Sequence, residues 1–403
     1  MNLMRASNQW ANRPSDERFW TLQDMRDAAA KAKTEGIERE QTIDSIRVQP
    51  VSEHGLEMIG MNSGKTGSFT HFSFGQLARF ACPEGKKSAD PEYLRRLPSE
   101  LAAQALNYDL ERCSKESKVL WNIDSERNAQ ARAFTTPKYG RIWNVEAIDK
   151  LIPLQADGWR VPPARPNGVG NDVRIATDAD CLKNRMPGLG INPGDKIAPA
   201  GLYMGEKDMF AFMVNEDRPV NGGGNTPLYR GFFLENSEVG SLSYWVTTFL
   251  YNSVCGNHIV WGASEVREIR VVHVGGNAGD RAVNALEVSL KDYANESVSD
   301  IEAKIKIARN FTFGADKKEV VEALYAKRIA TQTALEAAYD AAVEHPEDGA
   351  DCDPKSAWGM AQGMTRMSQL SAYMDKRVEL DRAAGDILDL ATGKKKSKVL
   401  AAV

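Results

Sequence analysis

Cysteine, histidine and long apolar runs are what this sequence has least of. Its five cysteines (Cys82, Cys113, Cys181, Cys255 and Cys352) are odd in number, widely spaced and without a CxxC pair. That pattern points to reduced thiols in a cytosol rather than to a disulfide framework. No apolar run approaches the roughly 18 residues that a membrane span needs, so no membrane partner is expected. The first twenty residues, MNLMRASNQWANRPSDERFW, lack the apolar core of a signal peptide. Neither sign of charge dominates: the formal net charge of −4 gives no global preference for nucleic acid. Residues 75–200 carry 19 Lys/Arg against 16 Asp/Glu, and residues 201–290 carry 6 against 10, so the basic bias sits in the first half and is small.

What is present is an ordinary globular composition, 42% hydrophobic and 26% charged over 403 residues, enough for a sizeable core and two or three structural units. Aromatic and β-branched residues are densest at 228–262 (LYRGFFLENSEVGSLSYWVTTFLYNSVCGNHIVWG). Residues 242–254 fit a helical face, but Ser, Thr, Val, Tyr, Trp and Phe dominate and Ala is missing, which favours a strand. The expectation is a hairpin of 228–234 and 242–254 with 235–241 as its corner. Further antiparallel strands follow at 258–261 and 268–274. Upstream, the unbroken apolar run 209–214 reads as a strand buried on both faces, and NGGGN at 221–225 reads as a turn.

Residues 1–50 read as an accessory helical segment. GMNSGKT at 60–66 has three residues between its glycines where a phosphate loop needs four, and reads as a turn. SFGQ at 73–76 reads as a capping box, Asp90-Pro91 as a helix start, and Ser99 as the cap of a helix over 100–113. KVLWNI (118–123) and QARAFT (130–135) form a predicted hairpin, with YGRIW (139–143) as a third strand and a short helix over 144–151. Alternation would place Arg132 and Phe134 on one face, and Tyr139, Arg141 and Trp143 on one face of the next strand. Residues 153–199 form a long Pro- and Gly-rich loop, of the kind that usually binds something or is disordered. After residue 275 the composition turns to Ala, Glu, Lys and Leu, predicting helices over 282–293, 300–308, 317–344 and 355–390. SDIE at 299–302 reads as another capping box, and GKKKSK at 393–398 as a basic tail.

The expected fold class is therefore α+β. A central antiparallel sheet over 118–275, with a β-meander over about 201–275, carries an N-terminal helical layer and a C-terminal helical region. The expected units are an accessory segment (1–70), an α+β core containing the loop 153–199 (71–275), and a helical region (276–403).

The strip RAFTTPKYGRIW at 132–143 interleaves cations with rings, the pattern that grips a single strand by stacking and phosphate contact. Arg132, Lys138, Tyr139, Arg141 and Trp143 are its candidate residues. Arg160, Arg165, Arg174, Lys183 and Arg185 of the long loop would assist as a flap. Cys255, His258 and His273 have Cys-x-x-His spacing but no second close pair of ligands, so a structural zinc is not expected. Glu238 with Cys255 or His258 could make a base and nucleophile, yet linear spacing does not bring them together. Asn236 and Ser237 are natural turn formers. No cofactor and no catalytic residue is assigned.

Several stretches together resemble a phage- and plasmid-encoded family, domain of unknown function 932. They are FGQL (74–77), YLRRLPSELAAQALN (93–107), the R-x-F then Y-x-R-I-x-N pattern of 132–144, and GLYMGEKDMFAFMV (201–214). The most specific are NSEVG and VCGNHIVWG, carrying Asn236, Glu238, Cys255, Asn257 and His258; VHVGG and a helix opening at Trp358 close the match. The resemblance covers residues 70–390. It implies a mobile-element protein in a bacterial host cytoplasm and brings no established reaction. The order of strands, helix and larger meander is also similar to single-strand annealing proteins, at the level of fold. The resulting expectation is non-enzymatic binding of single-stranded DNA in replication, recombination or repair, by a homo-oligomer. The alternative is a self-assembling structural or host-interaction protein. A hydrolase or metal enzyme is the third reading.

Overall fold

This computed structural model describes the chain except residues 1–14, 54, 61–65, 82–89, 162–164, 167–172, 179–192, 200, 223–226, 253–257, 260–267, 296, 345–352, 371–373, 394–399 and 403. The chain is α+β. β1 (Arg18–Phe19) and α1 (Leu22–Glu35) lead into β2 (Gly36–Thr42), β3 (Ile46–Ser52), β4 (Gly55–Gly60) and β5 (Thr66–Phe69). Helices α2 (His71–Phe80), α3 (Pro91–Arg96) and α4 (Ser99–Leu110) precede β6 (Glu116–Ile123), β7 (Ala129–Thr135) and α5 (Asn144–Leu151). The short strands β8 (Trp159–Arg160), β9 (Arg165–Pro166), β10 (Arg174–Ile175), β11 (Lys196–Ala198) and β12 (Leu202–Met204) come next. Then follow β13 (Met209–Asn221), β14 (Pro227–Asn236), β15 (Tyr244–Asn252), β16 (His258–Ile259) and β17 (Glu268–Val271). The chain continues with α6 (Ala278–Asn295), α7 (Val298–Asn310), α8 (Lys317–Ala326), α9 (Gln332–Glu344), α10 (Ala357–Leu370), α11 (Met374–Ala391) and β18 (Leu400–Ala402).

The expected single sheet over 118–275 is two large sheets. One is six-stranded, in the order β2-β6-β7-β5-β4-β3, and takes four strands from the first 70 residues. Pairing of β2 with β6 and of β5 with β7 crosses position 70, so the expected helical segment 1–50 is largely strand after α1. The other sheet is nine-stranded, with the path β1-β12-β13-β14-β15-β17-β18 and with β16 and β8 attached to β15 and β13. The hairpin of β14 and β15 forms as expected, antiparallel from Leu228↔Asn252 to Glu235↔Trp245. Gly231 lies opposite Phe249, where a Cβ would stand 2.1 Å from the ring; only glycine lets that ring lie across the strand. Residues 60–66 join two antiparallel strands, with Ile59 opposite Thr66, so no helix follows the glycines.

Both faces of the nine-stranded sheet are covered, as the apolar run at 209–214 implied. Met209, Ala211, Met213, Phe232, Leu234 and Val246 meet α1, α5 and α6. On α6 the buried residues Ala278, Ala282, Leu286, Leu290 and Tyr293 recur at helical spacing, and each large one contributes about 1.5–3 kcal/mol by leaving water. Phe210, Phe212, Val214, Phe233 and Phe249 alternate onto the other face, where Ala176 and Ile197 pack on them. Those last two residues belong to or adjoin a three-stranded sheet, β10-β11-β9, so part of the long loop has regular structure. The helices α7 to α11 form their own core around Trp358 and meet the sheet through Val220, Leu228 and Leu250.

Several boundaries move for local reasons. The cap of α2 is Thr70, whose side chain accepts from Ser73 N–H in a capping box, so Ser73 is the third helical residue rather than the cap. Ser99 is the first residue of α4, and its hydroxyl donates to the Ser52 carbonyl at 2.5 Å instead of capping. Ser297, not Ser299, caps α7 by accepting from Asp300 N–H. The expected helix 317–344 breaks between α8 and α9, where Arg328 takes a positive φ of 56°. Asp90 caps α3 as read from Asp-Pro.

Candidate functional site at the seam between the two sheets

The strip 136–144 leaves the six-stranded sheet and runs under the corner that joins β14 to β15. It is not a third strand. Tyr139 makes an isolated antiparallel bridge with Val274, Gly140 N–H donates to the His273 carbonyl at 3.1 Å, and Gly275 N–H donates to the Lys138 carbonyl at 3.1 Å. Gly140 is forced by contact: a Cβ there would stand 1.9 Å from the Gly275 carbonyl oxygen.

A β-bulge redirects Arg132. Leu120 pairs with Ala133 and Trp121 with Ala131, which leaves Arg132 as the extra residue of β7. The bulge flips the alternation, so Arg132 does not share the face of Phe134; it turns toward the corner instead. There its Nη1 lies 3.1 Å from Glu238 Oε2, with the two side chains 10% and 1% exposed. The other oxygen of Glu238 accepts from the Asn144 backbone N–H at 2.9 Å, which seats a carboxylate at the N-terminus of α5. Asn236 donates through Nδ2 to the Ile142 carbonyl at 2.9 Å and to Asn144 Oδ1 at 2.7 Å. Ser237 Oγ donates to the Lys207 carbonyl at 2.7 Å, and the Ser237 carbonyl accepts from the Tyr139 hydroxyl at 2.9 Å. The three residues of the NSE motif therefore each hold another segment of the chain.

Tyr139 stacks on His273 with ring centroids 5.1 Å apart and planes 4° from parallel. Burial raises the Tyr139 hydroxyl well above the usual phenol range, with the charge of Arg141 opposing. Burial also lowers His273 to about 4, and the Arg141 charge adds to that. Arg141 donates through Nε to Glu38 Oε1 at 2.8 Å, its side chain is 2% exposed, and it lies over the rings of Tyr139 (5.2 Å) and Trp143 (5.7 Å). Both terminal nitrogens of Arg141 and Asn236 Oδ1 are buried without a hydrogen-bond partner among the described residues. Each such atom costs about 1–3 kcal/mol when it is stripped of water. The seam is a polar joint between the two sheets.

The expected outward-facing strip is thus corrected: Arg132, Tyr139 and Arg141 point inward, Trp143 is half-buried, and Lys138 is exposed. Arg160 is exposed on β8 beside Val214. Arg174 is exposed on β10 and its guanidinium lies 4.1 Å over the Trp20 ring. Arg165 pairs through its backbone with Ala198, and His258 with Tyr251. Lys183, Arg185, Cys255 and Asn257 lie outside the described residues. Among the described residues no group of three or more His, Cys, Asp or Glu is placed to hold a metal ion. No described helix is long and apolar enough to cross a membrane.

Sequence reading gave Glu38 no role, took Gln76 only as part of a capping box, and took Asn144 only as the end of a motif. Gln76 bridges the sheets, donating to the Val239 carbonyl at 2.8 Å and accepting from Phe134 N–H at 3.0 Å. Its signal was a lone amide within the apolar helix HFSFGQLARF. Glu38 carried none, since an acid on the exposed, charged strand β2 is unremarked there.

Residues 190–377 match the family described as Domain of unknown function (DUF932). The matched stretch is a little under half of the chain. The match is narrower than the 70–390 read from the motifs. It takes in β11 to β17 and the helices through α10, and it leaves out the six-stranded sheet and the strip 132–144. Glu238, Asn236 and His273 of the DUF932 segment therefore clasp residues that precede it. No curated protein and no solved structure matches the chain.

Proposed function

We propose that the chain is a non-enzymatic single-stranded DNA-binding protein, acting in replication, recombination or repair of a mobile element, and that the strand lies on the second face of the nine-stranded sheet. The observation that supports this reading is an aromatic ladder beneath a cover that carries Arg174 and Lys196. Tyr203 and Phe210 stack at 5.0 Å, Phe212 and Phe233 lie 5.4 Å apart, and Phe249 follows Phe233 at 6.3 Å. Rings in such a row accept successive bases of an unstacked strand, each worth about 1–3 kcal/mol. The described cover over them is Trp20, Ala176 and Ile197. It presents Arg174 stacked on Trp20, with Lys196 exposed on the neighbouring strand. Guanidinium and ammonium groups at that rim would take the phosphates, and the cover would have to lift for bases to reach the rings.

Self-assembly through the free edge of the six-stranded sheet finds less support. The exposed edge strand β2 carries Glu38, Arg39 and Glu40, and charges in a row oppose edge-to-edge pairing.

The test is fluorescence anisotropy of labelled oligo(dT) against the full chain across a salt series. The expected result is binding that weakens linearly with log salt, and about tenfold weaker binding for the R174A/K196A double variant. Binding should also quench tryptophan fluorescence, with part of the quench lost in W20F. Absence of binding at low salt, or binding with no salt slope, overturns the reading. Large assemblies in light scattering without DNA affinity would put self-assembly in its place.

A further inference from the structure

A cavity of about 420 Å³ opens in the N-terminal half, remote in sequence from the DUF932 segment, between β5 and the helices α2, α3 and α4. Its body is apolar: Phe69, Phe74, Leu56, Leu94 and Leu97 line it, with Phe69 and Phe74 edge to face at 5.9 Å. Its polar features are one cation, Arg95, which is paired with Glu92, and the first residues of two helices. Arg95 is in the wall, with a side chain 16% exposed and a guanidinium 5.2 Å over the Phe74 ring. One terminal nitrogen of Arg95 donates to the His71 carbonyl at 2.6 Å, and the other to Glu92, whose side chain is 52% exposed. A guanidinium has five N–H groups, so these two bonds fix its orientation without using up its donors. Thr70 and His71, which open the ten-residue helix α2, and Ser99, which opens the twelve-residue helix α4, also line the cavity. Two helix N-termini and the ion-paired Arg95 therefore border one space, and the N-termini add a positive contribution beside the guanidinium.

The hydroxyls in the wall are already used. Thr70 Oγ1 accepts from Ser73 N–H at 3.0 Å, and Ser99 Oγ donates to Ser52. Burial, and next the Arg95 charge, lower His71 below its usual value, so its ring is neutral at pH 7 and Arg95 is the cation of the wall. One planar fork beside an apolar body matches the planar, singly charged end of a carboxylic acid.

We infer that this cavity binds a small monocarboxylate with an apolar, ring-sized body, the carboxylate on Arg95 and the body between Phe69, Phe74 and Leu97. The ligand is an organic acid rather than a polynucleotide, so the site is independent of the DNA reading.

The experiment titrates the full chain with 3-phenylpropionate and its uncharged isostere 3-phenylpropionamide, by calorimetry and by ligand-observed NMR. The acid should bind at least about tenfold more tightly than the amide, as one charge-assisted pair predicts. In R95Q the acid should fall to the affinity of the amide while the amide is unchanged. L97W keeps the charge but fills the cavity, and should abolish both. Circular dichroism and thermal melts establish that each variant is folded, and the acid–amide comparison on the unmodified chain needs no variant. Equal affinity of acid and amide, no binding of either at millimolar concentration, or acid binding that survives both substitutions would overturn the assignment.

Discussion

Arg132 Nη1 stands 3.1 Å from Glu238 Oε2 across the seam, one side chain from the bulge in the six-stranded sheet and the other from the corner of the nine-stranded one. The ion pair and the Glu238 bond to the N-terminus of α5 tie two sheets that share no strand. Pairs of this kind are expensive to break and cheap to replace whole, because a lone buried charge keeps its desolvation cost while losing its partner. Glu238→Ala or Arg132→Ala should therefore lower stability by about 3–5 kcal/mol. The double variant Arg132→Met/Glu238→Met should recover most of that loss. Urea melts of the three variants decide it; additive losses would show that the two side chains are not coupled.

His273 makes the seam sensitive to acid. Its folded value of about 4 lies below the ordinary 6.5, through burial first and the Arg141 charge second. Where the folded value is depressed, the unfolded chain takes up the proton first. The contribution is therefore complete above pH 6.5 and is lost as pH falls toward 4. About 3 kcal/mol is at stake over that window. The slope of stability against pH between 6.5 and 4 should flatten in His273→Phe, measured by chemical denaturation at each pH. An unchanged slope would assign the acid sensitivity to other groups.

Gly140 and Gly276 offer a matched pair of substitutions. A Cβ at Gly140 would meet the Gly275 carbonyl oxygen at 1.9 Å, whereas at Gly276 nothing stands within 4 Å. Gly140→Ala should destabilise by at least about 2 kcal/mol, as overpacking against backbone does. Gly276→Ala should stay within about 0.5 kcal/mol of the parent. Thermal melts compare the two directly, and equal effects would mean that the strip is not pinned against residue 275.

Trp358 anchors the helical region. It is fully buried, and the Arg309 guanidinium lies 5.3 Å from its ring. Trp358→Ala should cost about 3–5 kcal/mol. The helices meet the sheet through Val220, Leu228 and Leu250, so that loss should spread to the ends of β13 to β15. Hydrogen exchange should rise in α7 to α11 and at those strand ends before it rises in β6 and β7. Faster exchange in the six-stranded sheet first would contradict the packing.

The sequence by itself determined the α+β class, the hairpin of β14 and β15, the cap at Asp90 and the family match over residues 190–377. These rest on local period, turn chemistry and short motifs, which act between residues near one another in the chain. Only the tertiary structure decided that strands from the first 70 residues complete a separate sheet, and that the basic-aromatic strip faces inward. A cation beside a ring reads the same in sequence whether it meets a phosphate or a buried carboxylate. The partners that settled the matter, Glu238 for Arg132 and Glu38 for Arg141, lie about a hundred residues away, and a single extra residue in β7 chose the face.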